Sequence, residues 1–415
     1  MENNILSLKK NFSWTFLSNI IYAVSQWGML IFIAKLGSPE MVGVFSLALA
    51  VTAPIMMLFN LNLRSVQATD QKDSSDFYSY FCLRIITTLM ALIIIFTITF
   101  MFGYTKEQGY LILIIGLSKG IESISDVIFG VFQRNERMDL ISISRILKGV
   151  FSLFVLGGLL FFTKSIIIAS AGMALSWLLV LILYDFKHLR SYQYTKKTKF
   201  NLMISIIKIS FPLGIVMMIN SFNTNIPRYF LEDYGIKYLG YYVSMAYIIT
   251  AGNTIVTALG QSATPRLAKY YAKHDIGAFK DLLKKLSLIG LLIGLIGVVV
   301  SFFFGKELLA LIYTPDYANY SYEFVLIMLA GLFTYMSSFQ GYGLTAARIF
   351  KLQPIIGVIW MIVGLITSFA LIPTYGLKGA AYSLIISSIT KLLCQSIVLK
   401  FSYNKQFLNN KKDLH

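Results

Sequence analysis

Apolar residues in this chain run continuously for about twenty positions at a time, the length that lets a helix cross roughly 30 Å of hydrocarbon at about 1.5 Å per residue. Short polar punctuations such as LGSPE, YTKEQ and PTYGLK separate the runs. The clearest begin near Phe12, Met41, Phe77, Gly109, Ile141, Ser165, Ile206, Tyr238, Leu286, Phe324, Pro354 and Gly379. The pattern predicts an all-α polytopic membrane protein of about twelve transmembrane helices. The first run follows Lys9 and Lys10 as a signal peptide would. It is longer than a signal h-region and lacks a small-residue cleavage site, so it is expected to stay as the first span.

Composition agrees. Of 415 residues, 57% are apolar and 13% charged, with mean hydropathy +0.70. An ordinary soluble domain carries about 25% charge, so that class is excluded. The net charge of +17 would suit nucleic acid only if it formed one stripe on a soluble face. Here the basic residues fall between apolar runs, and no nucleic-acid partner is expected. Cys82 and Cys394 lie inside apolar runs, and His188, His274 and His415 sit in loops or at the terminus. That leaves no disulfide framework, metal cluster or cofactor site to propose. No GxxxxGK[ST] loop marks an ATP-driven pump, and no loop is long enough for a separate catalytic domain, so an enzyme is not expected.

Lys and Arg in the loops set the orientation. With a cytoplasmic N-terminus, the inner side holds Lys9, Lys10, Arg64, Lys72, Arg134, Arg137, Lys187 through Lys199, Arg266 through Lys285, Arg348, Lys351 and the C-terminal lysines. The outer side has only Lys35, Lys106, Lys164, Arg228, Lys237, Lys306 and Lys378. Both termini are therefore expected in the cytoplasm, with anionic lipid headgroups of the bilayer accounting for much of the positive charge.

A weak internal repeat sets GSPEMVGVFSLALAVTAP on GIKYLGYYVSMAYIITAG. Gly37 falls on Gly235, Ser46 on Ser244, Ala48 on Ala246, and Thr52 with Ala53 on Thr250 with Ala251. An even number of spans per half returns the chain to its starting side, so the halves share one orientation about an axis along the membrane normal. The expected organisation is a six-helix lobe over 1–187, a basic cytoplasmic linker over 188–200 and a second six-helix lobe over 201–415.

The segments KLGSPEMVGVFSLALA, ATPRLAKYYAKHD, GKELLALIYTPDYA and ALIPTYGLKGAAYSLIIS, spaced over nearly the whole chain, resemble the polysaccharide-transport branch of the multidrug/oligosaccharidyl-lipid/polysaccharide exporter superfamily. These are the Wzx-type flippases of O-antigen and capsule repeat units, with a MATE-like fold. The resemblance implies a bacterial inner-membrane protein that moves an undecaprenyl-diphosphate-linked oligosaccharide from the cytoplasmic to the periplasmic leaflet by alternating access. It also implies a polysaccharide polymerase and a chain-length protein as partners.

The residues offer their own evidence. A charge at the centre of a span costs about 2.5–3.5 kcal/mol by insertion scales, so each one is a functional candidate. The cations are Arg84, Lys119, Arg145, Lys148, Lys208 and Lys391, with Arg64 at an inner span end; the acids are Glu122 and Asp126. The excess is positive and lies mostly toward the cytoplasm. That suits a diphosphate, which needs cationic partners once it leaves water. For Arg84 and Lys208, snorkelling to the interface is an equal alternative.

Lys119, Glu122 and Asp126 share one helix face at spacings of three and four, and Arg145 and Lys148 share a face of the next helix. Asp126 and Lys148 lie at similar depth, about 10 Å from the inner surface at 1.5 Å per residue, so they can meet. Glu122 and Asp126 either neutralise a helix-gluing network or take a coupling proton or sodium ion. Gln26, Asn223 and Asn225, in polar clusters on spans one and seven, suit sugar hydroxyls, or else helix-to-helix hydrogen bonds. Pro227 is expected to bend or open its helix. The tyrosines of YGIKYLGYY suit sugar stacking or an interfacial belt. The glycines of GLLIGLIG indicate close helix packing.

Two rival classes remain. A MATE-like multidrug or cation antiporter would share the lobes, but its cationic cargo would be repelled by lysines and arginines. An integral-membrane polymerase or ligase would need a sizeable external loop.

Overall fold

The computed structural model describes residues 7–69, 77–192 and 200–412, with side chains placed apart from residues 8, 9 and 403–412. Lys72, residues 193–199 of the expected linker and the side chain of Lys9 lie outside what is described. The helices are α1 (Leu8–Leu36), α2 (Pro39–Asn60), α3 (Leu63–Thr69), α4 (Phe77–Met101), α5 (Lys106–Arg134), α6 (Met138–Thr163), α7 (Ile166–Val180), α8 (Phe186–Leu189), α9 (Phe200–Tyr234), α10 (Ile236–Ala272), α11 (Ile276–Ile312), α12 (Ser321–Ala346), α13 (Gln353–Tyr375) and α14 (Leu377–Lys412). A π-helical turn, Leu181–Asp185, joins α7 to α8, and a 3-10 turn, Pro315–Tyr320, precedes α12.

Among the described residues, eleven helical stretches are long and apolar enough to cross a membrane. The twelfth long helix is α5, with 29 residues. Its embedded Lys119, Glu122 and Asp126 dilute its apolar character and set it apart from the other eleven. Two spans are interrupted. α2 ends where Leu61 and Asn62 adopt left-handed backbone at φ 54° and 49°, and the chain resumes as α3. α7 passes into its π turn at the polar end of its apolar run.

The contacts divide the chain into two units, Met1–Phe222 and Asn223–His415, with the division inside α9. In the first, α1 packs on α6, α6 on α7, and α2 and α4 on α5. One buried cluster joins Leu61, Leu63, Tyr80, Leu83, Val127, Met203 and Ile206 around the α2–α3 break.

In the second unit, α11 packs on α12, α13 on α14, and α12 on both α10 and α14. A Cβ at Gly294 would lie 2.5 Å from the Leu332 Cα, so α11 and α12 touch backbone to backbone there as the glycine pattern predicted. The repeat also has a structural counterpart: Gly37 closes α1 before α2, and Gly235 stands between α9 and α10.

Candidate functional site

In the first unit the embedded charges form a chain of contacts. On α5, Lys119 Nζ lies 2.8 Å from Glu122 Oε2, the contact that spacing of three predicts, while Tyr22 of α1 donates to Glu122 Oε1 at 3.2 Å. Lys119 also stands over the Trp177 ring at 5.2 Å. From α6, Arg145 donates to Asn19 at 2.7 Å and lies over the Tyr22 ring. Among the described residues Arg145 has no carboxylate within ion-pair distance.

Asp126 and Lys148, which their depth would let meet, take other partners. Asp126 takes Arg84 at 3.4 Å and Arg64 at 3.7 Å. Lys148 takes Asp185 at 2.9 Å and also donates to Ser125. The cause is the π turn after α7, which holds Asp185 beside α6 in a position wholly removed from solvent.

Arg84 does not snorkel. It is fully buried and donates to the Asn60 carbonyl at 3.0 Å and the Asn60 side chain at 3.1 Å. The carbonyls at a helix end lack intrahelical donors, so Arg84 caps α2 where the chain turns left-handed. Arg64 donates to Gln133 at 2.8 Å and lies over Phe129. Gln26 is half-buried, with its amide nitrogen without a partner among the described residues. Lys208 is exposed on α9.

The second unit contains a cavity of about 350 Å³ between α9, α10, α12, α13 and α14. Lys391 lines it and stands 4.0 Å from the centre of the Trp360 ring. Arg228 lines it as well, and its buried Nε has no hydrogen-bond partner. No Asp or Glu is among the lining residues, and neither cation has a carboxylate within ion-pair distance among the described residues. The rest of the wall mixes hydroxyl and amide groups, including Asn253, Thr334, Ser338, Ser387 and Ser388, with apolar side chains such as Ile226, Ile249 and Leu384.

Arg228 corrects its sequence placement in an outer loop. α9 runs unbroken through Pro227, which therefore does not open the helix, and Arg228 stays inside the bundle. Pro227 does withhold the N–H that would bond the Asn223 carbonyl one turn earlier. Asn223 itself is buried at the cavity wall, its amide donating to the Gly357 carbonyl at 3.0 Å and its side-chain oxygen unpaired. Asn225 is buried near it on α9. The tyrosines after Tyr234 pack on one another: Tyr241 meets Tyr317 and Tyr320 edge-on or tilted, at 4.7 and 4.3 Å between ring centres. They serve the junction of α10 with the 3-10 turn.

The geometry separates two environments. The first unit is mostly neutralised ion pairs; the second offers uncompensated positive charge with neutral acceptors. Among the described residues no cluster of His, Cys, Asp and Glu could hold a metal.

Comparison with known proteins agrees with this architecture. The profile of the polysaccharide biosynthesis protein family matches residues 8–271, and that of the MatE family matches residues 212–370. The capsular polysaccharide biosynthesis protein CapF of Staphylococcus aureus is 31% identical over 389 residues, covering 92% of this chain and 97% of CapF. Among solved structures, the lipid II flippase MurJ in an inward closed conformation superposes with a TM-score of 0.73 at 17% identity, over 96% of this chain and 90% of MurJ. An outward-facing multidrug resistance MATE family transporter of the MOP superfamily superposes with a TM-score of 0.64 at 13% identity, over 96% of each chain.

Proposed function

Because the chain belongs to the polysaccharide biosynthesis protein family, whose members are multi-pass membrane transporters and not enzymes, we propose that it flips an undecaprenyl-diphosphate-linked oligosaccharide repeat unit for capsule or O-antigen assembly. Transport runs from the cytoplasmic leaflet outward, in the bacterial inner membrane, with both termini in the cytoplasm. The single observation that carries this reading is the set of embedded cations left without carboxylates: Arg145 in the first unit, Arg228 and Lys391 in the second. Unpaired charge in a membrane protein is expensive and persists where a ligand completes it. Diphosphate, with oxygens that accept charge-assisted hydrogen bonds, is the complement.

Lys119, Lys148, Arg64 and Arg84 hold acids instead, so they shape the site and present less free charge. Glu122, partly exposed between Lys119 and Tyr22, and Asp126, between two arginines, are the positions for a coupling proton or sodium ion. The polymerase and chain-length protein act on the released product as partners.

The antiporter reading draws on the MatE match over residues 212–370. A cavity with two cations and no acid disfavours its cationic cargo. Deletion of the gene decides between them: lipid-linked oligosaccharide stranded on the cytoplasmic leaflet supports the flippase, and drug sensitivity with an intact surface glycan supports the antiporter.

A further inference from the structure

We propose that the second unit holds an anionic phospholipid of the inner leaflet by its headgroup, in a basic groove where α11, α12 and α14 meet. The groove shares no lining residue with the cavity of Lys391 and Arg228, and the inference does not depend on the flippase reading.

Lys280, Lys284 and Ser287 follow one another on α11 at spacings of four and three, so they share one helix face. With Leu283, Gln340 of α12, and Ser396 and Leu399 of α14, they line a groove of about 280 Å³. Leu283 and Leu399 are buried, while both lysines are exposed. None of the lining residues is acidic, and Asp281, next to Lys280 in sequence, is not among them. Lys284 has no carboxylate within ion-pair distance among the described residues. The Ser396 hydroxyl lies 3.0 Å from Gln340 Oε1 and donates to it. With its oxygen engaged, the Gln340 amide presents N–H donors to a further acceptor. The polar equipment of the groove is therefore two ammonium groups and an amide, which suits phosphate oxygens.

Lysines at the end of a span commonly snorkel to the interface and need no ligand. The face below these two carries a second signal. It continues at steps of four as Leu288, Leu292 and Ile296, all exposed, and α14 adds the exposed Leu393 and Ile397. Cationic donors at the mouth and an open apolar stripe along the same helix face fit an amphiphile with an anionic head and hydrocarbon tails. Size agrees: about 280 Å³ is just under the roughly 300–1,000 Å³ of small-molecule sites, room for a phosphodiester headgroup whose chains leave along the stripe. A zwitterionic headgroup would bring its own ammonium against Lys280 and Lys284, so the groove selects a net negative one. A soluble anion would gain nothing from the stripe.

Full-length protein, delipidated in detergent, is titrated with dioleoyl phosphatidylglycerol, phosphatidylethanolamine or phosphatidylcholine, and retained lipids are counted by native mass spectrometry. The expected result is one phosphatidylglycerol held at least about tenfold more tightly than either zwitterion. Lys280→Gln combined with Lys284→Gln is expected to weaken it roughly twentyfold, on the scale of about fivefold per lysine at a membrane surface. Lys269→Gln combined with Lys273→Gln removes the same charge from exposed positions on α10 outside the groove and is expected to change binding less than about twofold. Gln340→Leu, which alters no charge, is expected to weaken binding about fivefold through the lost amide donors. Lys280→Arg combined with Lys284→Arg retains binding, and a single gel-filtration peak establishes that each variant is folded. Equal losses in the two glutamine pairs reduce the effect to diffuse attraction and overturn the proposal, as does equal retention of the zwitterions. Glycerol phosphate that competes as well as dioleoyl phosphatidylglycerol assigns the groove to a free anion, and undecaprenyl diphosphate that displaces phosphatidylglycerol at equal concentration assigns it to a polyprenyl carrier. Either result overturns the phospholipid assignment.

Discussion

Lys148 and Asp185 form an ion pair at 2.9 Å in which both side chains are removed from solvent, one on α6 and the other at the end of the π turn that follows α7. Neither is available to cargo. Breaking one partner of such a pair leaves an uncompensated buried charge, at a cost of about 3–5 kcal/mol, whereas replacing both by apolar groups is often neutral. Asp185→Asn and Lys148→Met are each expected to lower the detergent-solubilised melting temperature and the folded yield. The double variant Lys148→Met with Asp185→Leu is expected to recover most of the loss. Fluorescence-detected gel filtration after heating reads both, and equal damage in single and double variants would contradict the pairing.

Asp126 has a different environment. It is shared by Arg64 and Arg84, yet Arg84 retains two bonds to Asn60 without it. Asp126→Asn is therefore expected to fold with near-normal yield, while transport loses its dependence on an imposed proton or sodium gradient. Flipping by that variant that still follows the gradient as the parent does would remove Asp126 from the coupling.

The packing of α11 on α12 gives a purely structural check. With no room for a Cβ at Gly294, Gly294→Leu must push α12 away, and overpacking of this kind costs about 1–3 kcal/mol or more. Folded yield is expected to drop, while Gly158→Leu, at a position with open space around it, leaves yield unchanged.

Much of this was legible in the sequence. The run lengths anticipated the helices, and spacing along α5 anticipated the Lys119–Glu122 contact, because both depend on local helix geometry. Lys391 stood out as a charge inside a span, and it lines the cavity of the second unit. Asp185 was missed because a π turn changes which face a residue takes, and nothing in the hydrophobic period announces it. Arg228 was missed because Pro227 beside it reads as a helix end, although membrane helices often continue through proline. The adjacency of Trp360 and Lys391 joins two helices, α13 and α14, and no local pattern specifies it. Arg84 was assigned two open fates, cargo or interface, and takes a third as the cap of α2.

Orientation is checked by labelling. In a background with Cys82→Ala and Cys394→Ala, a cysteine replacing Lys106 is expected to react with a membrane-impermeant maleimide in intact spheroplasts. A cysteine replacing Lys273 is expected to react only after permeabilisation. The reverse pattern would invert the topology and with it the inferred direction of transport.

The central claim is that this chain carries a diphosphate-linked glycan across the bilayer with Arg145, Arg228 and Lys391 as its unpaired cations. The most direct measurement reconstitutes the purified protein in proteoliposomes with a fluorescent undecaprenyl-diphosphate-linked oligosaccharide and follows its exposure to an impermeant quencher. Flipping that requires the protein and falls at least about tenfold when Arg228 and Lys391 are neutralised together is the predicted result. Equal flipping by the neutralised protein, or transport of a cationic dye in place of the glycolipid, would contradict it.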